Sequence, residues 1–452
     1  MQRDAVDLGV LNISTLFRMY FFPTLLGMLA LCAVTAADGI FIGRGVGDDG
    51  LAAVNIAVAP CMLLIGMGLM LGIGSSVVSS IHLAKQNVKA ARINITQAMW
   101  CATLVVVVFL VATLVNPSAT ARLLGSSESL LPLVMDYMPW IFLTVLFQIW
   151  GVVGLFVIRL DGSPRYAMWC NIIPGLLNVV LDYLFIFPWG MGIKGAGIAT
   201  CISCFVGGVM VLVYLTAIAR DLKLIRIKLS AKSLRLSLRN IGYQCRIGVS
   251  AFIGEATMGV LMLIGNIEFM SYTGDAGVGA FSIACYYCPF VFMIGNAIAQ
   301  SAQPIISFNY GKRLMGRAVA TERLAIVTAV VCGLIVTAMF VFLPREMVAL
   351  FLEGQSLASV IAVNGLPYFA AAFVFFIFNL TVIGYFQSVE KVKPSIVFAL
   401  LRGAVFLIPS FVLMPHWFGV DGIWLALCLS EVLTTVSIVA YYFLNRSRLE
   451  AC

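Results

Sequence analysis

The chain has 452 residues, of which 62% are hydrophobic and 11% are charged, and its mean hydropathy is +1.05. A water-soluble domain is about half apolar and about a quarter charged, so this composition excludes a soluble globular protein and indicates a protein of the lipid bilayer. The net charge of +8 indicates membrane topology and contact with anionic membrane lipids, and it gives no reason to expect nucleic-acid binding.

Apolar segments follow one another along the chain, each of the length that a helix needs to cross a hydrocarbon core of about 30 Å. They do not alternate apolar and polar residues as the strands of a membrane barrel do. The predicted spans lie near residues 16–42, 52–83, 95–115, 131–158, 167–187, 195–219, 248–270, 278–308, 318–343, 360–386, 396–414 and 420–444. We therefore predict an all-α integral membrane protein with about twelve transmembrane helices.

One unit of sequence is repeated at a fixed offset of 227 residues. The segment 47–53, GDDGLAA, recurs as GDAGVGA at 274–280, and Gly192 recurs as Gly419. In a strongly apolar chain, such a duplication is typical of a secondary transporter whose substrate site lies between the two repeats. Because each half contains an even number of spans, both halves are predicted to enter the membrane in the same direction.

The repeat predicts two pseudo-symmetric lobes of six helices, residues 1–219 and 247–452, joined by a basic cytoplasmic linker at 220–246. Cytoplasmic loops are enriched in Lys and Arg. With both termini inside, the inner side or its flanks hold every Lys and Arg except Arg44, Arg122, Lys194 and Arg345. We therefore expect a multi-pass protein of a bacterial cytoplasmic membrane with both termini in the cytoplasm.

Few ionisable residues interrupt the predicted spans, and each needs an explanation because a charged side chain at the centre of a span costs about 2.5–3.5 kcal/mol. Asp38 lies deep in the first span; Asn178 and Asp182 lie one turn apart on one face of the fifth. Two carboxylates and an amide on neighbouring helices can bind a cation. If the carboxylates share a cavity, repulsion and burial favour a bound proton on one of them, which suits ion coupling. Local hydrogen bonding of Asp38 near the outer end of its span is the open alternative.

The duplication helps to choose between these hypotheses. At the offset of 227, the positions that correspond to the three polar residues hold Gly265, Val405 and Pro409. Residues kept for the fold alone should tend to recur in both halves, so this restriction favours one functional site in the first lobe. The second half has its own acids, of which Glu255 in the seventh span is placed most deeply. Glu255 is either a counter-charge for substrate in a central cleft or a satisfied interhelical contact.

Five motifs in order resemble those of the multidrug and toxic compound extrusion (MATE) family. They are DGIFIGR at 38–44, GDDGLAAVN at 47–55, LNVVLD at 177–182, GIKGAGIAT at 192–200 and AQPIISFNYG at 302–311. The resemblance covers nearly the whole chain. It implies an antiporter, driven by H⁺ or Na⁺, that exports organic cations and other amphipathic drugs by alternating access. We expect it to act as a monomer and to need no cofactor.

Within that family, the acids of the first half resemble the DinF-like branch, whose cation site combines a first-span Asp, a fifth-span Asn and Asp, and a sixth-span Thr. The resemblance implies that the cation-binding residues are Asp38, Asn178, Asp182 and Thr200. The same branch has a first-span Pro at which the helix bends, and Pro23 matches it, since a Pro frees a backbone carbonyl. Glu255 is typical of the NorM-like branch, whose tenth-span Asp is replaced here by Asn379 or a neighbour, so Glu255 is assigned to substrate contact.

The same superfamily includes flippases, so a flippase for a lipid-linked or amphipathic metabolite is the alternative function. Flippases need buried Arg or Lys to bind phosphates, whereas these spans are short of cations apart from Arg18 and Arg402, near predicted helix ends. The spans hold acids instead, which favours a cationic or zwitterionic substrate. We expect no enzyme, because no nucleophile elbow or acidic Mg²⁺ cluster is present. We expect no metal site, because His82 and His416 are predicted at opposite membrane faces.

Overall fold

The apolar segments form helices, because in a bilayer each segment must satisfy its own backbone polar groups. The computed structural model describes residues 8–227, 230–351 and 356–444. The first half contains α1 Ile13–Gly45, α2 Asp48–Ala84, α3 Val88–Leu114, α4 Pro117–Leu123, α5 Leu131–Leu160, α6 Pro164–Ile186 and α7 Gly192–Val213, which ends in a π-helical turn, Tyr214–Ile218. The second half contains α8 Ala231–Gly311, α9 Met315–Phe342, α10 Pro344–Ala349, α11 Leu357–Ala370, α12 Phe373–Ser388, α13 Val392–Leu400, a π-helical turn Leu401–Val405, and α14 Leu407–Leu444.

Among the described residues, nine helices are long and apolar enough to cross a membrane, and α11 and α12 form a tenth span bent by 43°. Two of the nine each contain two spans. One is α8, which changes direction at Gly274, and the other runs over Val392–Leu444 and changes direction at Gly419. The prediction of about twelve transmembrane helices is therefore confirmed.

Glycines with positive φ mark the same places in both repeats. Gly47 and Gly274 have φ of 93° and 61°, and Gly192 and Gly419 have φ of 57° and 59°. A positive φ is strained for residues that carry a side chain, so glycine is kept at each of these turns between spans. The sequence repeat is thus a repeat of backbone geometry, with the same offset of 227 residues.

The described residues divide into two compact units. The first covers the chain as far as Gly248 except Asn12–Phe17, and the second takes Asn12–Phe17 and the chain from Val249. The boundary between the units lies inside α8, within a few residues of the start predicted for the second lobe. By its contacts, the segment 220–246 that was predicted as a linker belongs to the first unit.

The beginning of that segment is held by a buried side chain, Asp161, in the turn between α5 and α6. Its carboxylate accepts hydrogen bonds from the backbone N–H groups of Arg220 at 3.1 Å, Asp221 at 3.0 Å and Leu222 at 3.2 Å. The hydroxyl of Tyr214 donates a further bond of 2.9 Å. The chain that leaves α7 is therefore fixed to the first unit; Lys228 of the predicted linker lies outside the described residues.

The rest of the segment is the beginning of α8, which packs on the first unit through polar residues. Gln97 donates to the Ser237 hydroxyl at 2.8 Å, and Gln244 donates to the Asn94 side chain at 2.9 Å. All four side chains are buried. The basic residues and amphipathic spacing of 220–246 predict a linker on the inner membrane surface, whereas the structure pairs Ser237 and Gln244 with polar residues of α3.

Candidate cation site

Three helices of the first unit position the predicted cation ligands. Asn178 and Asp182 lie one turn apart on α6 and are buried, whereas Asp38 on α1 and Thr200 on α7 are partly buried. Helices α6 and α7 can approach closely because α7 presents glycine to α6. A Cβ on Gly207 would lie only 3.0 Å from the Pro174 ring. Such small residues are how membrane helices bring their polar groups into contact.

The amide of Asn178 is oriented by α7. Its Nδ2 donates to the Thr200 hydroxyl at 3.4 Å, and that hydroxyl donates to the Ala196 carbonyl at 3.0 Å. The Thr200 proton is thus directed to the backbone, and the Thr200 oxygen is available as an acceptor. With its amide nitrogen engaged, Asn178 presents a carbonyl oxygen, which is the ligand type that hard cations prefer.

The two carboxyl groups interact with each other, and neither forms an ion pair with a described residue. Asp38 and Asp182 lie within electrostatic range of one another, and Asp182 also lies near the Asn178 amide. Asp182 is 0% exposed. In the part of the chain that the structure describes, no hydrogen bond of ordinary geometry reaches either oxygen of Asp182 or Oδ1 of Asp38, although Asp38 and Asn178 lie close enough to interact with Asp182.

This arrangement has a direct chemical consequence. A buried carboxylate without a hydrogen bond or a counter-charge is strongly destabilising, and two adjacent ones are more so. The pair is therefore satisfied only when a proton or a small cation neutralises at least part of its charge. Over the described ranges, no group of three or more His, Cys, Asp or Glu side chains could hold a metal ion.

Sequence analysis missed Tyr137 of α5, which is buried within electrostatic range of both Asp38 and Asp182. Its ring reaches α7 because Gly197 has no side chain, and a Cβ there would lie 3.2 Å from Tyr137 Cδ2. Tyrosines near the ends of spans are common at membrane interfaces, so the position of Tyr137 in the sequence does not indicate that it lies near the two acids. Cys204, one turn after Thr200 on α7, also lies within electrostatic range of Asp38.

The other two predicted residues lie apart from this cluster in sequence. Pro23 is half-buried in α1, which is one helix from Ile13 to Gly45, and the bend at Pro23 stays a prediction. Glu255 lies on α8 in the second unit. It is partly buried, and no described residue forms a hydrogen bond or ion pair with its carboxylate. Its contact with substrate also stays a prediction.

The structure places Arg402 differently from the sequence prediction. It was expected near a helix end, yet it is buried in the second unit and paired with Glu431. No local pattern in the apolar segment 396–414 indicates that Arg402 has a partner on another helix.

Two units of apolar spans with repeated turns, and two acids close together inside one of the units, are typical of a membrane transporter. Comparison with known proteins agrees with this class. The sequence model of the MatE family matches residues 23–184 and 251–413, once in each repeat. The chain therefore belongs to the MatE family and is a transporter, not an enzyme.

Relatives and solved structures extend this result. The multidrug export protein MepA of Staphylococcus aureus (strain NCTC 8325) is 24% identical over 435 residues, covering 95% of this chain and 94% of that protein. The outward-facing structure of a multidrug resistance MATE family transporter of the MOP superfamily is similar with a TM-score of 0.90, 20% identity and full coverage of both chains. A second similar structure is that of a MOP superfamily transporter from Pyrococcus furiosus, with a TM-score of 0.88 and 20% identity over 100% of this chain and 99% of that one. That transporter is described as having a binding pocket of reverse polarity, which suggests a different function.

Proposed function

We propose that this protein exports organic cations and other amphipathic drugs in exchange for H⁺ or Na⁺ that enters the cell. The observation that carries the proposal is the buried Asp182 carboxylate, which accepts no hydrogen bond of ordinary geometry from the described residues and lies close to a second carboxylate, Asp38. A site of this kind is stable when a cation is bound. The similarity to the multidrug export protein MepA supports drugs as the substrate class.

In this proposal, the coupling ion binds between α1, α6 and α7. The Asp38 and Asp182 carboxylates neutralise it, and the oxygens of Asn178 and Thr200 complete its ligands. Oxygen ligands of this kind suit a proton or Na⁺ and do not require a transition metal. Ion entry from outside favours one arrangement of the two lobes, and drug entry from the cytoplasm favours the other. Bending of α1 at Pro23, about four turns before Asp38, would move the acid with the helix.

The membrane potential supplies the energy that this cycle needs. One charge that crosses 100 mV supplies about 2.3 kcal/mol. Because about 1.4 kcal/mol corresponds to a tenfold change in concentration ratio, this is enough for roughly fifty-fold accumulation. The protein is proposed to act as a monomer in the bacterial cytoplasmic membrane, with Glu255 in contact with the drug and both termini in the cytoplasm. The terminal residues lie outside the described part of the chain.

Ethidium efflux from proteoliposomes tests the proposal, with a pH gradient and a Na⁺ gradient imposed separately. The wild type should show efflux driven by one of the two gradients. Asp38→Asn and Asp182→Asn should each lose the gradient-driven component and keep the elution profile of folded protein. Asp136→Asn is the matched control, because Asp136 is an exposed acid beside Tyr137 on α5.

The possible outcomes separate the functions clearly. Full gradient-driven efflux by Asp38→Asn would contradict the assigned site, even if the transporter itself is active. Absence of wild-type efflux under both gradients would contradict the antiporter and favour a flippase for an amphipathic metabolite, which transport of a fluorescent lipid analogue would then test.

A further inference from the structure

The second unit contains a buried ion pair that the proposed mechanism does not use. Arg402 is 2% exposed and Glu431 is 1% exposed, and Arg402 Nε lies 2.7 Å from Glu431 Oε1. A charged residue inside a membrane protein is costly, so a pair of this kind calls for a role.

Both oxygens of the Glu431 carboxylate are satisfied. Oε2 accepts a hydrogen bond from Asn379 Nδ2 at 2.7 Å, and the same nitrogen donates to the Glu431 carbonyl at 2.9 Å. The Asn379 carbonyl oxygen accepts from the Thr435 hydroxyl at 2.9 Å. Carboxylate, amide and hydroxyl thus meet here as they do in the first unit, but here the carboxylate has a cationic partner.

The guanidinium of Arg402 is held on its other side by an aromatic ring. Its Cζ lies 4.0 Å from the centre of the Phe376 ring, within the range of a cation–π interaction. Its Nη2 is buried without a hydrogen-bond partner among the described residues. Arg402 lies on the π-helical turn Leu401–Val405, a rare local geometry that is frequent at functional sites.

The internal repeat places this pair at the counterpart of the candidate cation site. At the offset of 227 residues, Arg402 corresponds to Gly175, which precedes Asn178 by three residues on α6. Glu431 corresponds to Cys204, the α7 residue that lies within electrostatic range of Asp38. The helices that carry Arg402 and Glu431 are therefore the repeats of α6 and α7.

We propose that the guanidinium of Arg402 acts as a permanent cation in the second unit. It occupies a site made of a carboxylate and an amide, and the corresponding site of the first unit is open for a transported ion. The inference rests on the proposed function. It explains why coupling acids are needed in one half only. The inference also implies that, once the Arg402 side chain is removed, Glu431 can bind free guanidinium from solution.

Chemical rescue of a purified variant tests this inference. Arg402→Ala should unfold at a temperature lower by about 5 °C or more, because it leaves a buried carboxylate without its counter-charge. Millimolar guanidinium chloride should recover most of that loss, whereas NaCl at the same ionic strength should not. Wild type and Arg239→Ala, which removes an exposed arginine from α8, should show neither the loss nor the recovery.

A neutral double variant keeps the inference testable if Arg402→Ala does not fold. Arg402→Met with Glu431→Gln removes both charges together, so the double variant should fold. Its unfolding temperature should not change when guanidinium is added, and it should keep gradient-driven efflux. Loss of coupled efflux by the folded double variant would overturn the inference, because the pair would then take part in coupling. Rescue of the double variant by guanidinium, or an Arg402→Ala protein as stable as wild type, would overturn it as well. The unfolding temperatures test the role of Arg402 without any transport assay. Failure of the proposed function would show separately, as absence of efflux by the wild type.

Discussion

Two buried aspartates of the first unit differ in how their carboxylates are satisfied. Asp161 accepts three backbone hydrogen bonds and one from Tyr214, whereas no hydrogen bond of ordinary geometry from the described residues reaches either oxygen of Asp182. The first carboxylate stabilises the structure, and the second destabilises it unless an ion is bound. The contrast supports the proposal that Asp182 binds the coupling ion, whereas Asp161 stabilises the fold.

We expect opposite stability effects when these two residues are neutralised. In sodium-free alkaline buffer, Asp182→Asn should raise the free energy of unfolding by about 1–3 kcal/mol, because it removes an unpartnered buried charge. Asp161→Asn should lower it by about 1–3 kcal/mol, because it weakens four hydrogen bonds. Thermal unfolding in detergent measures both. Destabilisation of both variants to the same extent would contradict the assignment of Asp182 as an unsatisfied group.

At the scale of the helix, the contact between α2 and the start of α8 depends on glycine. A Cβ on Gly248 would lie 1.9 Å from the Met70 carbonyl oxygen, and a Cβ on Gly74 would lie 2.0 Å from the Gln244 carbonyl oxygen. The two backbones therefore touch directly, and neither position has room for a methyl group. Gly242, also on α8, has open space around it.

The pair of glycines on α8 gives a matched prediction. Gly248→Ala should lower the free energy of unfolding by about 1–3 kcal/mol, because the new methyl group overpacks the contact with α2. Gly242→Ala should leave stability unchanged or raise it by up to about 1 kcal/mol, because alanine favours the helix more than glycine does. Thermal unfolding in detergent and gel filtration report both effects. Equal stability of the two variants would show that α8 does not pack on α2 in this way.

The elements also show where sequence analysis succeeds and where it fails. Apolar runs predicted the spans, and the spacing of Asn178 and Asp182 predicted one polar helix face, because both signals are local. The position of Tyr137 near Asp38 and Asp182 depends on contacts between helices that are far apart in the chain. The pairing of Arg402 with Glu431 depends on such a contact as well, and no local sequence pattern encodes it. The contact between Gln244 and Asn94 is of the same kind, since it joins residues that are 150 positions apart.

At the scale of the whole molecule, the distribution of basic residues predicts its orientation in the membrane. Arg226 follows the first half and is expected inside, whereas Lys194 is expected outside; both side chains are exposed. The eleven cysteines in the described ranges are buried or partly buried. Introduced cysteines at the two exposed positions can therefore be labelled selectively.

We expect a membrane-impermeant maleimide to label Lys194→Cys in intact cells and Arg226→Cys only after the cells are opened. The reason is the enrichment of Lys and Arg in cytoplasmic loops, which sets the direction of insertion. Wild-type protein, treated in the same way, gives the background from its own cysteines. Labelling of Arg226→Cys in intact cells would reverse the assigned topology and place the termini outside.

The attachment of α8 to the first unit bears on the order in which the protein is made. Gln97 Nε2 donates to the Ser237 hydroxyl and Asn94 Oδ1 accepts from Gln244, so both amides of α3 have a partner on α8. While the ribosome is still adding residues after Ala219, the amides of α3 must stay open to water or to the insertion machinery. The first six spans therefore cannot complete their packing until synthesis has reached the seventh.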